Sequence, residues 1–219
     1  MTDGPTTPPP PGGSKSLINR VKDILVTPKT EWGVIDAEPA TIGGIYTSYV
    51  VILAAIGPIA MLIGQQVVGI SVLGVTYKPS MSYSVGSAVI TYLLSLVIVY
   101  VSSLIIDALA PTFGGTKDSV KAFKVAAYAS TAGWVAAIFG ILPMLGWLGL
   151  IGALYGLYLL YLGLPRLMRV SEDKAVGYTV VVIVVQIVLY FVVAMVVATL
   201  VASFFGLAAI TGAAPVVRY

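Results

Sequence analysis

Residues 125–165 read VAAYASTAGWVAAIFGILPMLGWLGLIGALYGLYLLYLGLP and carry no charge between Lys124 and Arg166. A single helix of that length would run about 60 Å at about 1.5 Å per residue. A bilayer core is about 30 Å thick, and about 20 residues span it. The stretch therefore reads as two spans that fold back on each other. The bend falls at residues 140–146 around Pro143, because proline removes a backbone donor and crowds the preceding turn. Both cationic ends, Lys124 and Arg166/Arg169, then lie on one side of the membrane. Lysine and arginine near span ends collect in the cytoplasm, so that side is expected to be cytoplasmic.

Composition agrees with this reading. Of 219 residues, 58% are hydrophobic and 10% charged, against about a quarter charged in soluble domains; mean hydropathy is +1.01. The fold class expected is all-α: a polytopic bundle of five transmembrane helices, preceded by an amphipathic interfacial helix. The net charge of +3 is small and gives no reason to expect nucleic acid. Cysteine and histidine are absent, which removes thiol nucleophiles, disulfides, imidazole bases and ordinary zinc sites. No nucleophile–base pair or carboxylate cluster stands out. No catalytic, cofactor or metal residues are assigned, and the chain is not expected to be an enzyme. The first forty residues do not read as a signal peptide, so the first span is expected to act as an uncleaved insertion signal.

Residues 1–14 form a proline-rich tail expected to be disordered, or to act as a proline-recognition ligand. Residues 15–41 form a cytoplasmic or interfacial helical segment. Within it, Leu17, Ile18, Val21, Ile24 and Leu25 share an arc of about 120°, with Arg20 and Lys22 on the other side. That pattern fits a helix on the membrane surface, contacting it through Leu17, Ile18, Arg20, Val21 and Lys22. It fits equally a helix packed under the bundle. Thr27-Pro28 starts a second helix, with Trp32 expected as an interfacial anchor.

The five spans are expected at about residues 42–64, 85–109, 123–141, 145–164 and 177–206, within a domain covering 42–207. Gly57-Pro58 should kink the first. Residues 65–84 fit an extracytoplasmic turn, a re-entrant piece or a longer first span. A short extracytoplasmic tail, 208–219, closes the chain. Five spans with a cytoplasmic N-terminus put ten cations inside (Lys15, Arg20, Lys22, Lys29, Lys117, Lys121, Lys124, Arg166, Arg169 and Lys174) and leave only Lys78 and Arg218 outside. The expected location is the inner, cytoplasmic membrane.

Few polar groups lie within the spans. Asp107 and Gln186 are the candidates, and an ionisable group within a span is a functional hypothesis by default. Asp107 near a span end fits an interfacial structural role as well as a proton or cation site. Gly149, Gly152, Gly156 and Gly163 fall within about 60° on one helical face, as a packing seam would. Gly114-Gly115 lacks the ending of a phosphate-binding loop.

Several segments carry a family likeness: NRVKDILVTPKTEW, LIIDALAPTFGGTKD, AFKVAAYASTAGWVAAIF, LYGLYLLYLGLPRLM and EDKAVGYTVVVIV. Together they resemble the bacterial branch of the Yip1 family, from residue 16 to about residue 190. The resemblance implies a five-span membrane protein with a cytoplasmic N-terminus. Eukaryotic relatives meet Rab GTPases in vesicle traffic, but their Asp-Leu-Tyr-Gly-Pro motif is absent here. By analogy the chain is expected to be a non-enzymatic membrane scaffold or adaptor, or a membrane-organising protein whose hairpin and interfacial helix shape the lipid, acting through its cytoplasmic face. Its partners would be the lipid bilayer and a cytoplasmic protein, with a homo-oligomer left open. The alternative is a small transporter or channel component using Asp107 and Gln186.

Overall fold

The computed structural model describes residues 15–72 and 75–211, without side-chain detail at 72, 75, 143 and 205–211. The proline-rich tail and residues 212–219 lie outside the described residues.

Local chemistry sets the first breaks. Ser16 caps α1 (Leu17–Val26), its Oγ accepting the Asn19 amide at 3.4 Å. Pro28 opens α2 (Pro28–Ala37), where its missing amide costs nothing. Thr27 does not cap α2; its hydroxyl donates back to the Asp23 carbonyl at 3.1 Å. Glu38 is extended before Pro39, as a residue preceding proline prefers.

The first span comprises α3 (Ile42–Ile45), a π-helical turn (Tyr46–Val50), α4 (Val51–Ala54) and α5 (Ile56–Val67). Its break falls at Ala55, just ahead of the expected Gly57-Pro58. Pro58 has no amide to give to the Ala54 carbonyl, so the turn before it is the one that loosens. The described residues 70–72 and 75–77 of this connection are extended and do not continue the helix. They form an antiparallel hairpin of β1 (Ile70–Val72) and β2 (Val75–Tyr77), with Ile70 opposite Tyr77. Gly69, at φ +89°, turns the chain into it.

Ser80 caps α6 (Met81–Leu109), which tightens into a 3₁₀ turn (Ala110–Phe113) and ends at Gly114, φ +74°. The third span is α7 (Ser119–Ala129), α8 (Thr131–Ala136) and a 3₁₀ turn (Ala137–Ile141). A second 3₁₀ turn, Pro143–Leu145, makes the fold-back into α9 (Leu148–Leu167). Arg169, at φ 57°, ends α9, and the Val170 amide reaches the Pro165 carbonyl at 3.1 Å. The last helix, α10 (Glu172–Thr211), starts before and ends beyond the expected fifth span of about residues 177–206.

Five helical segments are long and apolar enough to cross a membrane. The third is the axis of the bundle: 56% of its apolar window is buried, against 6% for the fifth. Alanines 122, 126, 127, 129 and 132 let α6 and α9 approach it closely. α10 packs along α6 and against α9. The N-terminal helices cover one end of the bundle, α1 against α2 and α8, and α2 against α9. Chain direction puts residues 110–118 and 168–171 at this capped end and the hairpin at the far end.

Candidate functional site

The capped end holds a buried ionic cluster. Arg20, 3% exposed, pairs through its two terminal nitrogens with Glu31 and Glu38. Its guanidinium also lies 5.6 Å from the centre of the Tyr128 ring on α7. Lys15 bridges Asp23 at 2.8 Å and Glu31 at 2.6 Å. These bonds hold the Lys15 ammonium above its ordinary pKa and the Asp23 carboxyl below its own. The Asp23 contribution is therefore present above the ordinary carboxylate pKa and is lost only as pH falls through the depressed value.

Two further ties join the cap to the spans. Lys124 Nζ donates to the carbonyls of Ile35 at 2.7 Å and Glu38 at 2.5 Å. It thereby places a cation at the C-terminus of α2, where the helix dipole favours one. Asp36 receives Lys121 and Arg169, both at 3.0 Å. Beneath them, the Tyr49 and Thr131 hydroxyls share a hydrogen bond at 2.7 Å, and Tyr155 donates to the Leu25 carbonyl at 2.7 Å. Chemically this arrangement holds two short helices in one orientation on the membrane-spanning body.

Sequence reasoning missed the cluster. Arg20 is not a membrane-surface contact; it is enclosed because α2 supplies two carboxylates to neutralise it, which the periodicity of α1 alone cannot show. The readable signal was positional. Leu17, Arg20 and Ile24, and likewise Pro28, Glu31, Trp32 and Ile35, follow the spacing of a buried helical stripe. Trp32 is not an interfacial anchor either. It is 1% exposed, with its ring over Gly163, where a Cβ would stand 2.7 Å from Cζ2. Leu17 and Val21 are half-buried against the core, while Ile18 and Lys22 are exposed. α1 is thus a helix packed on the bundle with one open face.

The glycine seam is shorter than expected. A Cβ on Gly152 would lie 2.3 Å from Ala136 Cβ and 2.7 Å from the Ala132 carbonyl oxygen. Gly156 would approach the Ala129 carbonyl at 3.1 Å. Gly149 faces nothing within 4 Å and is not part of the seam. It sits one turn nearer the fold-back, in the first turn of α9.

Asp107 and Gln186 do different things. Asp107 accepts the Asp118 amide at 2.8 Å, and Asp118 in turn caps α7 through the Lys121 amide at 3.0 Å. Asp107 therefore pins the 110–118 loop. Asp107→Asn, which keeps an acceptor, should change stability by less than about 0.5 kcal/mol. Asp107→Ala should cost about 1 kcal/mol by leaving that amide without a partner. Thermal unfolding in detergent checks both. Gln186 accepts the Ser102 hydroxyl at 2.9 Å and, with Ser102, Ser130 and Trp134, lines a cavity of about 290 Å³. Among the described residues, no group of three or more acidic side chains could hold a metal ion.

The model of the Yip1 domain matches residues 22–195, most of the chain. The chain belongs to the Yip1 domain family. The matched region starts at Lys22, inside α1, and ends within α10; it takes in Asp23, Glu31 and Glu38, the first four spans and most of the fifth, while Lys15 and Arg20 lie just ahead of it. No curated protein and no solved structure matches the chain significantly.

Proposed function

We propose that this Yip1-domain protein is a membrane scaffold or adaptor that presents its capped end to a protein partner in the cytoplasm. The observation that carries this reading is the ionic cluster. It fixes α1 and α2 on the bundle while Ile18, Lys22 and Val26, spaced four residues apart, stay exposed on the outer face of α1. A fixed surface loses less conformational freedom on binding than a loose segment. The inner membrane is the location that fits the charge distribution, since ten of the twelve cations fall at the capped end.

Cross-linking in cells tests the reading. Full-length protein should capture a reproducible partner, and the doubly substituted full-length variant Ile18→Asp/Val26→Asp should lose it. Equal capture by both would remove α1 as the contact surface. A second reading, a transporter or channel component, is favoured by the cavity beside Gln186. In that case Gln186→Leu should abolish solute flux in liposomes while leaving partner capture intact. Asp107, whose Oδ1 accepts the Asp118 amide, is the second residue of that reading, and its substitution by Asn should then reduce flux as well.

A further inference from the structure

Beside the ionic cluster, α2, the end of α9 and the start of α10 enclose a separate recess of about 610 Å³. Lys29 and Arg166 line it, and both are exposed. Among the described residues neither has a hydrogen-bond or ion-pair partner, although the neighbouring cations Lys15, Arg20, Lys121, Lys124 and Arg169 all do. The Arg166 guanidinium is nonetheless placed. It rests against Gly33, where a Cβ would stand 2.6 Å from its terminal nitrogen. Trp32 forms the inner wall, 1% exposed, and its indole N–H has no acceptor among the described residues. Glu172 is the one carboxylate at the rim, so the recess keeps one cation in surplus.

Position completes the picture. Arg166 lies in the last turn of a helix long and apolar enough to cross the membrane. One turn deeper, the half-buried Leu162 and the 44% exposed Tyr161 line the same recess. The recess thus offers cations at headgroup depth and an apolar, aromatic surface directly below. That ordering matches a phospholipid, with phosphate outward and acyl chain inward.

We propose that this recess is a binding site for an anionic phospholipid, whose phosphate is held by Lys29 and Arg166 and whose upper acyl chain lies along Tyr161 and Leu162. The site needs only that this end of the bundle meet a bilayer surface, so it stands or falls separately from the adaptor reading.

Full-length protein in phosphatidylcholine nanodiscs, titrated with phosphatidylglycerol and read by native mass spectrometry of the ejected complexes, provides the test. The protein should retain phosphatidylglycerol over phosphatidylcholine. Lys29→Gln/Arg166→Gln should weaken that retention by roughly 30-fold, the combined effect of two cations near an anionic lipid. Gly33→Ala, which displaces the guanidinium without altering charge, should weaken it by several-fold. Lys22→Gln/Lys117→Gln, which removes two exposed cations elsewhere at the same end, should leave it unchanged. An equal loss in that control would reduce the effect to general surface charge and overturn the site. Retention without preference for the anionic lipid would overturn it too. Inorganic phosphate at millimolar concentration should not displace the lipid; if it did, the ligand would be a soluble phosphate and the lipid assignment would fall. All the substituted cations are exposed, and unchanged elution and melting of the variants would confirm intact folding.

Discussion

Arg20→Ala should lower stability by about 3–5 kcal/mol, the cost of removing one partner from a buried ion pair. The Arg20 side chain is 4% exposed and that of Glu31 is 3%, so water cannot replace the lost guanidinium. Glu38, 20% exposed, can relax outward in part. The loss should appear as a large drop in apparent Tm in detergent and as protease sensitivity confined to the N-terminal helices. Glu31→Gln added to Arg20→Ala should restore part of the loss, because one of the two carboxylates that Arg20 neutralised is then uncharged, although the Lys15–Glu31 pair goes with it. Lys15→Ala supplies the contrast. Its ammonium pairs with the same Glu31, but about a third of the side chain is exposed, and it should cost at most about 1 kcal/mol. Equal effects from Arg20 and Lys15 would mean that the cluster is solvated and does not hold the cap.

Gly152→Val should be comparably damaging. The first added carbon would meet Ala136 Cβ at 2.3 Å and the Ala132 carbonyl oxygen at 2.7 Å. One obstacle is a side chain with no rotamer to change and the other is backbone, so α9 must move away from α8. Overpacking of this kind costs about 1–3 kcal/mol, and valine, whose branches extend the clash, should fall at the upper end. Gly149→Ala, one turn away and facing open space, should be neutral to within about 0.5 kcal/mol. Unfolding of the two variants in the same detergent gives the comparison. A neutral Gly152→Val would show that α8 and α9 are not in close backbone contact.

The spans were legible in the sequence because burial in lipid demands long apolar runs, and that demand acts on each run separately. The fold-back at Pro143 was legible for the same reason: an uncharged stretch too long for one crossing has to bend at its weakest helical position. What stayed hidden depended on pairing between segments. Arg20 looks like a solvated cation until Glu31 and Glu38 are brought to it from α2. Trp32 looks like an interface anchor until Gly163 on α9 opens a slot for its ring. Gly149 shares a helical face with Gly152 and Gly156 but lies beyond the part of α8 that approaches α9. The hairpin at residues 70–77 is three residue pairs long, too short for its alternation to stand out from the apolar residues around it.

The placement of α1 and α2 as a cytoplasmic cap is the claim on which the proposed adaptor role depends, and single cysteines test it directly because the chain has none of its own. Ile18 on α1, Thr116 in the loop at the same end and Ser80 before α6 at the other end are all exposed. In intact cells an impermeant maleimide should label Ser80→Cys alone, with Ile18→Cys and Thr116→Cys reacting only after permeabilisation. Labelling of Ile18→Cys from outside, with Ser80→Cys protected, would invert the protein and remove the cytoplasmic surface that the account assigns to its partner.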